Sequence, residues 1–208
     1  MAVRPPLKVA PVLPTEDVEA AEMLTDYKIL FHSLSGVGKT SLLRSIPGLL
    51  HIDTEGGSLA HSGRIVRLRN WEHFVQVVSA LLNQKHQYSL VGIDPLDGLY
   101  NHAWSYMLGK LAITHPSEAA HGKGWERITS TLFEQLNKLQ LSGLGIICTA
   151  HTNTSQVRIR NIEITQFQPS MVGGSPRSAY QRTIDFFDII GFLRMESLLK
   201  GEKDVRKV

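Results

Sequence analysis

The segment Ser33-Leu34-Ser35-Gly36-Val37-Gly38-Lys39-Thr40 carries the sharpest chemical signal in the sequence. It matches the phosphate-loop pattern G-x-x-x-x-G-K-[ST], with Ser33 in place of the first glycine. The spacing suits a polyanion. Gly36 and Gly38 let the backbone wrap closely and turn successive N–H groups inward. A helix opening near Lys39 adds its positive end. Lys39 is expected to reach the β and γ phosphates, and the Thr40 hydroxyl to ligate Mg²⁺. The cofactor is therefore read as ATP with Mg²⁺, and its binding set as Ser35, Gly36, Val37, Gly38, Lys39, Thr40 and Ser41.

Phosphoryl chemistry also needs acids. Asp94 ends the apolar run Leu90-Val91-Gly92-Ile93, at the carboxyl edge where open α/β sheets bind ligands. It is expected to hold the Mg²⁺ with Thr40, and the plainer alternative is a turn or cap aspartate before Pro95. Asp97 could substitute, but it lies beyond Pro95 and is expected to turn away. The stretch His51-Ile52-Asp53-Thr54-Glu55-Gly56-Gly57 offers two carboxylates to activate water. Glu55 is the preferred general base, freed by the glycines after it, with Asp53 as a supporting or metal-side partner; the plainer alternative is that both are turn acids. His151 follows another apolar run and is read as a γ-phosphate sensor. The catalytic set is Lys39, Glu55 and His151.

These residues need elements to place them. Tyr27–His32, Leu49–Asp53, Arg64–Leu68, Tyr88–Asp94 and Gly145–Ala150 read as short buried strands. Thr40–Ile46 reads as a helix stopped by Pro47-Gly48. Asn70 reads as the N-cap of a helix that puts Trp71, Phe74, Val78 and Leu81 on one face. Residues 96–109 and a segment through Trp125, Ile128, Leu132 and Leu139 read as two more helices. Residues 110–124 and 152–176 read as loops. Phe186–Met195 reads as a last strand, with Asp204–Val208 as its hairpin partner. Strands alternating with helices predict an α/β fold, a mostly parallel central sheet with helices on both faces. Residues 1–25 are expected to form a flexible proline-rich leader and 26–208 the core.

Composition narrows the class. The 208 residues suit one domain. There is no apolar run long enough to span a bilayer, so no membrane role is expected. Cys148 is the single cysteine, which excludes an intrachain disulfide and multi-cysteine zinc. The nine histidines are scattered without paired-ligand spacing. A net charge of +3 permits nucleic-acid binding without demonstrating it.

In their order, SLSGVGKT, HIDTEGG, SLVGID and IICTAH resemble a family of phage-encoded, RecA-like P-loop ATPases (AAA-type). Some members act in single-strand annealing or recombination. The resemblance spans about Tyr27 to Met195. It implies a RecA-like P-loop NTPase core in which Asp53-Thr54-Glu55 supplies the water-activating glutamate and His151 the sensor. It implies two DNA-binding loops, at roughly 101–124 and 152–178. The second carries Arg158, Arg160, Phe167 and Arg177, cations for phosphates and an aromatic for base stacking. The implied partners are single-stranded DNA, further copies of the chain in a filament or ring with ATP between subunits, and a single-strand binding protein. The implied location is the host cytoplasm. Basic residues supplied by a neighbouring subunit find their nearest match in Arg206 and Lys207. These stand at the end of the chain, so the core is expected to be abbreviated or cut short there. Arg177, Arg182 and Arg194 remain as alternatives.

The expected function is a single-stranded-DNA-dependent ATPase of phage recombination. Two alternatives stay open. A small-molecule kinase would use Arg158, Arg160 and Arg177 as a lid over the phosphates. A nucleotide-controlled switch would bind with little turnover. Asn137-Lys138-Leu139-Gln140 lacks the final aspartate of a guanine-reading motif and sits within a helix, so it is read as surface.

Overall fold

Apolar runs of four to six residues become parallel strands where both sides of a sheet are covered. The computed structural model describes Met23 and residues 26–59, 61–119, 123–173, 175, 177–200 and 203–207. Apart from Met23, the proline-rich leader lies outside the described residues. The parallel strands are β1 (Lys28–Ser33), β2 (Leu49–Asp53), β3 (Ile65–Arg67), β4 (Leu90–Asp94), the first part of β5 (Gly145–Ile159) and, after β6 (Ile162–Pro169), β7 (Ile189–Phe192). Their order is β3-β2-β4-β5-β1-β7. The phosphate-loop strand β1 is thus separated from the acidic strand β4 by β5. The register sets Asp53 beside Asp94 and Ser33 beside His151, so the chemistry gathers along one edge of the sheet.

Side chains alternate between two unequal cores. Leu30, Leu50, Ile52, Val91, Ile93, Ile146 and Cys148 face the larger core, built with α2 (Trp71–Asn83), α3 (Leu96–Leu111) and α4 (Lys123–Leu141). Ile29, Leu49, Leu90 and Ile147 face the smaller one, closed by Leu43 of the short helix α1 (Lys39–Arg44). Helices therefore lie on both faces, as expected, but α1 closes its side with little else. This is the same α/β P-loop NTPase architecture that the motifs predict. Asn70 caps α2, its side-chain oxygen accepting the His73 N–H at 2.9 Å.

Four expectations need correction. The segment 152–176 is not a long loop. Its first two thirds form an antiparallel hairpin, in which β5 runs on past the sheet and pairs with β6 from Thr152↔Pro169 to Ile159↔Ile162. A core-facing stripe is missing because β6 is exposed along most of its length, so no apolar alternation marks it as strand. Its turn, Arg160-Asn161, has φ of 47° and 67°, the mirror-image twist that two-residue hairpin turns favour. Residues 101–111 are helical, because α3 continues to Leu111; a loop with a 3-10 turn at Pro116–Glu118 follows. Phe186 belongs to α5 (Ala179–Phe186), and β7 is short. Finally, β9 (Lys203–Lys207) pairs with β8 (Glu196–Lys200) and not with β7.

Candidate nucleotide site

Gly36 and Gly38 adopt φ of 79° and 102°, the left-handed backbone that the loop needs and that side chains resist. Ser33 carries no such demand, which explains why a serine can stand where the pattern has glycine. Its buried hydroxyl instead donates to Leu34 O at 2.8 Å and accepts from Lys39 Nζ at 3.2 Å. Lys39 Nζ also donates to the Ser33 and Leu34 carbonyls at 3.2 and 3.4 Å. Burial lowers the Lys39 pKa, partly offset by Asp94, Asp97 and Glu55.

An open pocket of about 310 Å³ joins this loop to Glu55, Asp94 and His151. Ser35, Gly36, Gly38, Lys39 and Thr40 line it. Val37 instead packs into the interior, and Ser41 faces solvent on α1, so neither side chain lines the pocket.

Asp94 sits at the centre. Thr40 Oγ1 donates to Asp94 Oδ2 at 2.6 Å, and the Thr149 hydroxyl donates to Oδ1. His51 Nε2 approaches Oδ2 at 3.3 Å without hydrogen-bond alignment. Burial pushes the Asp94 pKa up, but these contacts outweigh it and hold the carboxyl below its ordinary range. A hydroxyl and an ionised carboxylate in contact beside a phosphate loop are the oxygen donors that Mg²⁺ prefers, so the residues fit the ion.

Asp53 lines the pocket but spends its carboxylate on the turn after β2. Oδ1 accepts from Glu55 N–H at 3.1 Å and Gly56 N–H at 2.8 Å. Oδ2 accepts from Ser58 N–H at 3.0 Å and from the Ser58 hydroxyl. Burial raises its pKa, and these bonds more than reverse the effect. Asp53 therefore shapes the segment that presents Glu55. Glu55 stays open to solvent, yet its pKa is raised. Desolvation is the largest cause; His151 opposes it, and Asp97, Asp94 and Asp53 add to it.

Asp97 does not turn away. The first turn of α3 aims it at the end of β5, where its carboxylate accepts from His151 N–H at 3.1 Å and pairs with His151 Nδ1 at 2.7 Å. A carboxylate only accepts, so Nδ1 carries the proton there. One donor atom each from Glu55, Asp97 and His151 lies within 4.8 Å of the others. Sequence reasoning missed Thr149, His51 and this role of Asp97. Strand alternation could have found the first two, since each stands two residues before His151 or Asp53 and shares its face.

The four residues expected to meet nucleic acid do not form one cluster. Arg158 and Phe167 share one face of the β5–β6 hairpin, and Arg160 sits at its turn. Phe167 stacks on Phe192, with ring centroids 4.7 Å apart. Arg177 lies elsewhere, at a second cavity beside Tyr100. Of the alternative trans-acting arginines, Arg182 is held by the Ser130 hydroxyl at 3.0 Å and the Phe133 ring, and Arg194 pairs with Glu196.

A family model described as an AAA domain matches residues 25–207. The chain belongs to the AAA domain family. It is a nucleotide-binding and nucleotide-hydrolysing P-loop ATPase, consistent with the loop and acids described above. No curated protein matches it. Among the described residues no helix is long and apolar enough to cross a membrane.

Proposed function

We propose that this AAA-domain ATPase is stimulated by single-stranded DNA and acts in phage DNA recombination or single-strand annealing in the host cytoplasm. The observation that carries the reading is the continuity of β5. One strand runs from Thr149 and His151, at the phosphate pocket, to Arg158 near the tip of the exposed hairpin. A change at the γ-phosphate is thereby joined to a cationic arm without an intervening flexible loop. Arg158 and Arg160 supply phosphate contacts, and Phe167 an aromatic surface for bases.

In this reading the loop N–H groups and Lys39 hold the β and γ phosphates of ATP. When bound, Mg²⁺ neutralises charge on those phosphates, and Thr40 and Asp94 hold it. Glu55 takes a proton from the attacking water, helped by its raised pKa. His151, fixed by Asp97, contacts the γ-phosphate and reports its loss. Among the described residues no arginine lines the pocket, which supports a homo-oligomeric filament or ring in which a neighbouring copy supplies one. A single-strand binding protein is a further partner in this scheme.

The test is steady-state ATP hydrolysis with and without single-stranded and duplex DNA, with Glu55→Gln as control. Strong stimulation by single strands, lost in the variant, is expected. Turnover indifferent to DNA overturns the DNA-coupled part. Transfer of phosphate to a nucleoside would mark a kinase, and equal ATP and GTP affinity without turnover a switch.

A further inference from the structure

A second cavity, of about 350 Å³, shares no lining residue with the phosphate pocket. Its volume is at the low end of ligand pockets, which span roughly 300–1,000 Å³. Tyr100 of α3, Trp125 and Thr129 of α4, and Arg177 ahead of α5 all line it. Three features call for a ligand of one kind.

The first is a buried hydroxyl whose one neighbouring polar side chain, Thr129, leaves it without a well-aligned bond. Tyr100 is 3% exposed, and its hydroxyl makes no hydrogen bond of ordinary geometry among the described residues. The Thr129 hydroxyl, 2% exposed, lines the same wall. The second is an aromatic plane held in place. Trp125 makes edge contacts with Trp104 at 4.7 Å and His115 at 5.6 Å, both at 81°. Its neighbour Gly124 lets α4 approach so closely that an added Cβ would lie 2.8 Å from Pro116 Cα. The third is an uncompensated cation, since Arg177 is exposed and has no ion-pair partner among the described residues. Glu126 adds one further acceptor to the lining.

A fixed aromatic plane, a hydrogen-bonding edge and an arginine match a flat heteroaromatic ring that carries a phosphate. We propose that this cavity binds one nucleotide unit, with the base against Trp125, its polar edge on the Tyr100 and Thr129 hydroxyls, and its phosphate on Arg177. The proposal rests on the single-strand reading above, and it assigns the strand a base-holding subsite apart from the hairpin. Two short connections tie this subsite to the phosphate pocket. Asp97, on His151, precedes Tyr100 by less than one turn of α3. The His151 carbonyl accepts from Ser170 N–H at 2.8 Å, two residues before Val172 in the cavity wall.

The experiment is photo-cross-linking of a 5-bromouracil-substituted single strand to the full chain with ADP saturating the phosphate loop. Adducts are mapped by mass spectrometry, and affinity is measured in parallel. Adducts on the Trp125 or Tyr100 peptides are expected. Tyr100→Phe, which removes only the hydroxyl and keeps the buried ring, should weaken the strand by roughly fivefold. Trp125→Leu should weaken it by roughly tenfold or more. If a nucleoside monophosphate displaces the adduct, the subsite accepts free nucleotides; if it does not, the subsite needs a strand. Either outcome upholds a nucleotide pocket. Adducts confined to 152–169, with affinity unchanged in both variants, overturn the pocket and leave the DNA-coupled ATPase standing. A strand that neither cross-links nor binds overturns both.

Discussion

Asp53→Asn is the most informative single change, because it alters no shape and reverses the polarity of half a carboxylate. In the native turn, Asp53 accepts two N–H groups at Oδ1 and the Ser58 N–H and hydroxyl at Oδ2. An asparagine keeps the first pair as neutral bonds. Each loses about 1 kcal/mol relative to its charged counterpart. Its NH₂ can donate to the Ser58 hydroxyl, but it faces the Ser58 N–H donor to donor. Ser58 is 1% exposed, so that N–H is left unpaired at about 1–3 kcal/mol. The total is about 3–5 kcal/mol, a large share of the roughly 5–15 kcal/mol that a domain has. Chemical denaturation at neutral pH measures it. If the turn relaxes to recover a partner, Glu55 moves instead, and kcat falls by about 10²-fold for a displacement near 1 Å. The pH dependence gives a second check. The folded pKa of Asp53 lies below its unfolded value, so its stabilisation is complete above the ordinary carboxylate pKa of about 4 and is lost as pH falls through the folded value. The difference between wild type and variant should therefore shrink on acidification below about pH 4. A variant with wild-type stability and wild-type kcat would refute the role given to Asp53.

Glu55→Gln should lower kcat by about 10²–10⁴-fold while ATP still binds, as measured by single-turnover hydrolysis and equilibrium nucleotide binding. In the wild type, the acid limb of kcat should fall at a pH above the ordinary glutamate range, because the base must be ionised and its pKa is raised; a limb at the ordinary value would remove Glu55 from the role. Gly98→Ala adds a Cβ against Thr54 Oγ1 and 2.9 Å from Glu55 Cγ, so it should depress kcat with KM for ATP changed only a few-fold, although alanine favours the helix by about 1 kcal/mol. Asp97→Asn, with its oxygen kept on the His151 N–H, presents its NH₂ to Nδ1 and so reverses the imidazole tautomer; NMR of the ring nitrogens should show the switch, and DNA stimulation should fall more than basal turnover.

The parallel core was legible because its signals are local. Each buried strand is a short apolar run ending in a chemical residue, as in Leu90 to Asp94, and the phosphate loop fixes strand, turn and helix in one segment. The hairpin of β5 and β6 was not legible, because an arm exposed on both sides needs no apolar period, and its turn carries Arg160-Asn161 in place of the usual glycine. Asp97 was misjudged for a different reason. The direction of a side chain just past Asp94-Pro95 depends on how α3 leaves the sheet, and no residue pattern encodes that angle. The glycines after Glu55 favour it over Asp53 as the base, but spacing alone does not say what Asp53 does. What separates them is that the Glu55, Gly56 and Ser58 N–H groups all turn back onto Asp53, a fact of the folded turn.

On the proposed single-strand reading, hydrolysis and strand binding are coupled through His151 and not through the hairpin alone. His151 meets its neighbours at three points: its ring and N–H on Asp97, its carbonyl on Ser170, and its chain continuing into β5. Asp97 leads within three residues, about 4.5 Å along the helix, to Tyr100. Ser170 leads within two residues to Val172, whose carbonyl accepts the Tyr180 N–H at 2.9 Å. In the proposed cycle, a displacement of His151 when the γ-phosphate leaves would be passed to α3, the 170–173 segment and the hairpin together, because all three connect directly to it. Cutting the hairpin at its turn should accordingly weaken strand affinity while leaving part of the stimulation in place, whereas Asp97→Asn should do the reverse.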